Sequence, residues 1–172
     1  MNAEQLRAMQ APLKDQYRHD PASAMITLRA TGQLGRDDIT CRVDAMKTIV
    51  EAGLHPATGG TGAAACSGDM LLQALVACAG VTMQAVATAL AIDLRAGTIS
   101  AEGDLDFRGT LGVSKETPVG FKSIRLRFDL DTSAAPEQLA TLMKLTERYC
   151  VVYQTLRQPA DIQVSHHAAT PP

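Results

Sequence analysis

Asp69 to Ile92, DMLLQALVACAGVTMQAVATALAI, runs for 24 residues with only its first residue charged. A helix built from it is apolar all round, so other elements must surround it, either sheets or a second copy of itself. A bilayer is the competing environment. A spanning helix needs about 18 or more consecutive apolar residues with basic flanks on one side. Here Gln73, Thr82, Gln84 and Thr88 interrupt the run, its longest unbroken part is Ala74 to Val81, and its flanks are Asp69 and Asp93. The stretch reads as the central helix of a soluble fold rather than a membrane anchor. Ser67 is its expected N-cap, with Asp69 in the first turn, where unpaired amides favour a carboxylate.

On the N-terminal side lies Gly53 to Gly68, rich in Gly, Ala, Thr and Pro and without periodicity, a long connection and therefore a candidate functional loop. Before it, Met25 to Thr31 and Ile39 to Asp44 alternate apolar and polar residues as strands do, with Gly32 to Asp38 as a turn and Lys47 to Glu51 as a short third strand. Residues 1–24 form a polar, partly helical lead-in whose scattered charges do not fit a signal peptide.

On the C-terminal side period two returns. Ile99, Ala101, Leu105 and Phe107 mark one face, and Ile124, Leu126, Phe128 and Leu130 another. Pro136 and Glu137 open a second helix in which Leu139, Leu142, Leu145 and Tyr149 recur at helical spacing, and Cys150 ends it or begins a further turn through Arg157. Asp161 to Ser165 is a short closing strand, and residues 166–172 are a tail. This order predicts an α+β fold in one domain spanning residues 25–165.

Composition narrows the function. The 172 residues carry 16 Lys+Arg against 18 Asp+Glu, a net charge of −2, where a nucleic-acid binder would carry a basic excess. Aromatic residues make up 3 %, too few for base-stacking platforms. Cys41, Cys66, Cys78 and Cys150 are unevenly spaced with no C-x-x-C pair, which points to free thiols in a reducing cytoplasm. His19, His55, His166 and His167 are too dispersed for a zinc spacing, so neither a metal nor another cofactor is expected. Gly60-Thr61-Gly62-Ala63-Ala64-Ala65 fits the dinucleotide pattern G-x-G-x-x-A, but the helix signals begin only at Ser67 and the later strands alternate as antiparallel ones do. A plain loop is the better reading. His55, at the mouth of that loop, is a secondary candidate for lining a site.

Cys78 lies among Ala and Gly in the central helix, where a free Cys behaves as a small buried hydrophobe. Cys150 sits where one helix gives way to another, near helix N-terminal amides and Arg148, the two influences that lower a thiol pKa.

Three stretches carry a resemblance: His55-Pro56-Ala57-Thr58-Gly59-Gly60, Ser67-Gly68-Asp69 through Ala77-Cys78, and Arg148-Tyr149-Cys150-Val151-Val152-Tyr153-Gln154-Thr155-Leu156. Together they resemble the OsmC/Ohr family of thiol-dependent hydroperoxide-detoxifying proteins over about Met25 to Ser165. The resemblance implies an intertwined homodimer, its antiparallel sheets wrapped around two long central helices, with the active site at the dimer interface. Cys78 matches the family's peroxide-attacking cysteine and Cys150 its resolving cysteine. The implied partners are an organic hydroperoxide and an external dithiol, typically a lipoylated protein.

Family members also hold the thiolate with an Arg and a Glu. The Glu register falls on Gly68 or Asp69, and Asp69 is taken as the counterpart. The Arg is Arg29, Arg36 or Arg42, with Arg36 favoured by its setting in Gly35-Arg36-Asp37. Burial of Cys78 raises its pKa, so a cation is expected to offset that desolvation. Val151 stands where the family commonly has Pro, and Cys66 is a competing resolving thiol. The alternatives to a peroxidase are a dimer of this fold that binds a small apolar ligand, or a redox sensor.

Overall fold

The computed structural model describes residues 2–20, 32–34, 40–45, 48–112 and 114–167. In chain order it has helix α1 (Ala3–His19), strands β1 (Gly32–Leu34), β2 (Thr40–Ala45), β3 (Thr48–Gly53) and β4 (Ala65–Cys66), and the long helix α2 (Ser67–Ala89). Strand β5 (Leu94–Asp104), the single-turn helix α3 (Phe107–Thr110), strand β6 (Ser123–Thr132) and helices α4 (Pro136–Tyr149) and α5 (Val151–Arg157) follow. Strands β1 to β4 make one sheet in sequence order, antiparallel except for the short parallel pair β3–β4, and β5 pairs antiparallel with β6. The α+β class and the central helix are as the sequence predicts.

Helix α2 organises the rest. Leu75, Ala79, Met83, Val86 and Ala87 are its buried residues, spaced three or four apart so that one stripe meets α4, α5 and β5. Met83, Val86 and Ala87 join Ile92 and Leu142 in the core, walled by Leu94, Phe128 and Leu130 of the β5–β6 hairpin. Each fully buried Leu or Met side chain contributes about 2–3 kcal/mol. The hairpin's outer face carries Arg125 paired with Asp104 and Glu102, and Arg95 paired with Asp131. Exposed pairs of this kind add little in water, so the apolar inner face holds the layer in place. By length and composition alone α2 also passes as a membrane span. A second stripe of α2, Leu71, Ala74, Ala77 and Val81, is exposed within the single chain, Val81 by 71 %.

Several boundaries depart from the sequence reading. Met25 to Thr31 lies outside the described residues. Gly32–Leu34, read as part of a turn, is strand β1, because Cys41 to Val43 of β2 supply its partner. Cys66, not Ser67, takes the N-cap of α2. The helix stops at Ala89: Ala91 adopts a left-handed φ of 54°, and the Ile92 N–H donates back to the Ala87 carbonyl at 2.9 Å, turning Ile92 into the core. Phe107 belongs to α3 rather than to a strand, since Asp106 caps that turn by accepting from the Arg108 N–H. Residues 161–165 are no strand, and Ile162 and Val164 are 80 % and 90 % exposed. Alternation specifies a face, but a strand also needs an edge to pair with, and among the described residues none meets this segment.

The loop expected over Gly53 to Gly68 is more built than its composition suggests. Pro56–Thr58 forms a 3₁₀ turn capped by His55, whose Nδ1 accepts from the Ala57 N–H at 3.0 Å. Gly60 packs so tightly that a Cβ there would lie 1.8 Å from the Leu54 carbonyl oxygen, so only glycine fits.

Candidate functional site

Cys150 is a one-residue joint between two helices. Its backbone is extended (φ −74°, ψ 108°), its N–H ends α4 by donating to the Thr146 carbonyl at 3.0 Å, and its carbonyl starts α5 by accepting from the Gln154 N–H at 2.9 Å. The first amides of any helix lack an acceptor inside it. In α5 these orphans lie near sulfur: the Val151 and Val152 N–H groups favour the Cys78 thiolate on α2, and those of Tyr153 and Val152 favour the Cys150 thiolate. The two thiols are close enough to influence each other's titration, and Thr82 stands one turn along α2 from Cys78. Cys78 of α2 and Cys150 of the α4–α5 joint are therefore neighbours.

The pair is asymmetric. Cys150 is 1 % exposed while Cys78 is only half-buried. Burial pushes the Cys78 thiol up, but the Val152 N–H, the Cys150 thiol, the Val151 N–H and the Thr82 hydroxyl together carry it below the ordinary thiol value. Burial likewise pushes Cys150 up, and there it wins over the amides, helped by the neighbouring Cys78. The helix amides thus bring Cys78 below the ordinary thiol value but leave Cys150 above it, while the arginines expected beside Cys78 have no described side chain. The expected result is that iodoacetamide alkylates Cys78 with a pH midpoint below that of a free cysteine peptide, the rate falling away as pH drops through that midpoint. Cys150 stays unmodified at neutral pH, as mass spectrometry of the two peptides would measure.

Asp69 stands nine positions before Cys78 on α2, about 13 Å along the helix axis, so within one chain its carboxylate does not reach the sulfur. It lines a separate cavity of about 340 Å³ with His55, Cys66, Asp104, Phe107 and Phe121. His55 there stacks on Phe107, ring centroids 4.9 Å apart and planes 16° from parallel. Arg29 and Arg36 lie outside the described residues, and of Cys41 and Arg42 only the backbone, on β2, is described.

A second, more apolar cavity of about 480 Å³ lies between α2, the β5–β6 hairpin and the α4–α5 pair, and neither cysteine lines it. Leu75, one turn before Cys78, lines it with Phe121, Phe128, Met143, Tyr153 and Leu156. At its rim the Tyr153 hydroxyl donates to Glu147 Oε2 at 3.1 Å. Sequence reasoning missed Thr82 and the α5 amides. The i, i+4 spacing from Cys78 marks Thr82, whereas backbone donors carry no residue signature.

The α+β chain thus sets a partly open cysteine near a buried one. The family profile described as OsmC-like protein matches residues 60–165, and the chain belongs to that family. Among solved structures it is similar to the OsmC-like protein of Mycoplasma pneumoniae, at 16 % identity and TM-score 0.64, over 78 % of this chain and 89 % of that one. It is also similar to the organic hydroperoxide resistance protein OsmC of Legionella pneumophila, at 19 % identity and TM-score 0.60, over 78 % of this chain and 91 % of that one. A further similar structure is an organic hydroperoxide resistance protein of Elizabethkingia anophelis, at 16 % identity and TM-score 0.62, over 78 % and 91 %. At these identities the likeness shows the fold. No curated protein matches the sequence.

Proposed function

We propose that the chain is a cytoplasmic thiol peroxidase that reduces organic hydroperoxides, with Cys78 attacking and Cys150 resolving. The observation that carries this reading is the asymmetric contact of the two thiols, one half-buried among donors and the other buried and held protonated. The Cys78 thiolate attacks the terminal peroxide oxygen. The S–O bond forms, the O–O bond breaks, and the leaving alkoxide takes a proton to depart as an alcohol, leaving a sulfenic acid. The Cys150 sulfur, losing its proton, then displaces hydroxide, which leaves as water, and a disulfide closes. An external dithiol, such as a lipoylated protein, returns both thiols by exchange. The apolar cavity beside Leu75 and Tyr153 supports an organic rather than an inorganic peroxide.

Asp69 and an arginine complete this reading as a carboxylate that fixes a guanidinium for Cys78. Arg36 is tested first, then Arg29 and Arg42. The working form is an intertwined homodimer, because a second copy would cover the Leu71, Ala74, Ala77 and Val81 stripe and offer an edge to residues 161–165. Sedimentation at micromolar concentration is expected to give twice the monomer mass, and a monomer there contradicts the assembly.

With cumene or tert-butyl hydroperoxide and a dithiol present, the protein is expected to consume peroxide catalytically. The apolar cavity also favours a second reading, a binder of small apolar ligands, which would leave peroxide untouched. Thiols that oxidise once without turnover would indicate a sensor.

A further inference from the structure

The last carbonyls of a helix have no donor within it. At the end of α4 the Thr146 carbonyl takes the Cys150 N–H at 3.0 Å, and the Glu147 carbonyl takes a side chain from the next helix. Gln154 reaches back seven residues across the joint, its Nε2 donating to that carbonyl at 2.7 Å. The Gln154 N–H meanwhile donates to the Cys150 carbonyl at 2.9 Å, so one residue of α5 grips the joint by backbone and side chain together. Tyr153 adds a second tie to the same residue of α4, its hydroxyl donating to Glu147 Oε2 at 3.1 Å. Cys150 lies inside this clasp. It continues the buried stripe of α4, Leu142 and Thr146, at the same spacing of four, and Leu142 packs in one core with Met83 of α2. Its chain neighbours Tyr149 and Val151 are 58 % and 69 % exposed, whereas Cys150 is 1 % exposed, so a small opening of the joint suffices to release it.

We infer that Gln154 is a positioning residue for Cys150: by tying the end of α4 to α5 it keeps the joint closed and the Cys150 thiol inside the protein, reserved for the oxidised Cys78. The inference rests on Cys150 being the resolving thiol and adds the residue that holds it in place.

The test is the rate at which excess N-ethylmaleimide labels Cys150 in the reduced protein, read by mass spectrometry on the Cys150 peptide. For a buried thiol that rate reports the open population of the joint. Gln154→Leu keeps most of the side-chain bulk and loses the donor. It is expected to label Cys150 about fivefold faster than wild type, the size of one net hydrogen bond, with Cys66 labelled at its wild-type rate. Gln154→Lys restores a donor able to reach a helix-terminal carbonyl and stays within about twofold of wild type. Thr155→Val removes a hydrogen bond that lies wholly within α5, from the Thr155 hydroxyl to the Val151 carbonyl at 2.9 Å, and leaves the Cys150 rate unchanged. Should Gln154→Leu not fold, Gln154→Ala is read in its place with the same expectation. A wild-type rate in the donor-free variant overturns the assignment, as does a lysine variant that behaves like leucine. Thr155→Val labelling as fast as Gln154→Leu also overturns it, because α5 would then be loosening as a whole. No peroxide enters this measurement, so its failure leaves the peroxidase reading standing. A chain that shows the Gln154 dependence but consumes no hydroperoxide refutes only that reading.

Discussion

Cys78→Ser is expected to lower dithiol-dependent consumption of tert-butyl hydroperoxide by about a thousandfold or more, the scale on which removing a reacting nucleophile acts. Serine matches the shape of cysteine and accepts the same donors from Val151, Val152 and Thr82, so the fold should persist by circular dichroism. What is lost is the anion, because a hydroxyl stays protonated at neutral pH even among these donors. Cys66→Ser, on the far cavity with Asp69 and His55, serves as the control and should retain wild-type turnover. Consumption by Cys78→Ser above a tenth of wild type would remove Cys78 from the chemistry.

Cys150→Ser changes the fate of the oxidised sulfur rather than its formation. Cys150 is nearly inaccessible, so a serine there must find partners, and the Tyr153 and Val152 amides now directed at its sulfur supply them. The first peroxide is therefore still reduced. With no neighbouring thiol to condense with, the Cys78 sulfenic acid is exposed to further peroxide and advances to sulfinic acid. Intact-mass measurement after a few equivalents of peroxide should show two added oxygens on Cys78, with steady turnover at least about tenfold below wild type. A variant that turns over normally without over-oxidation would show that another thiol, Cys66 foremost, or the external dithiol itself does the resolving.

The central helix was legible because the lack of a polar face over Asp69 to Ile92 can be satisfied only by elements that surround it, and the structure uses one stripe for the hairpin and the α4–α5 pair. The β5–β6 hairpin was legible for the same reason, its alternation surviving as inward Ile124, Leu126, Phe128 and Leu130. Boundaries set by backbone geometry were not. The left-handed Ala91 that ends α2 and the α3 turn that takes Phe107 out of the strand are local hydrogen-bond solutions with no periodic trace.

At the site, residue identity revealed the two cysteines, and only three dimensions revealed what holds them. The sequence displays side chains and so points to a cation for Cys78, on arginines whose side chains are not among those described. The donors that lower Cys78 include the Val151 and Val152 N–H groups, which become available because Cys150 breaks the chain between two helices. Asp69 was correctly placed in the first turn of α2, yet nine residues of helix keep it from Cys78 within the chain. The closing strand at 161–165 failed because alternation alone does not supply an edge to pair with, and none of the described residues offers one.

The most direct test of the paired-thiol mechanism is to treat the fully reduced protein with one equivalent of tert-butyl hydroperoxide, block free thiols and map the disulfides by mass spectrometry. The mechanism predicts one equivalent of tert-butanol and a single intramolecular bond joining Cys78 to Cys150, with Cys41 and Cys66 recovered alkylated. Cys78 joined to Cys66, or sulfinic acid on Cys78 with Cys150 still free, would contradict it.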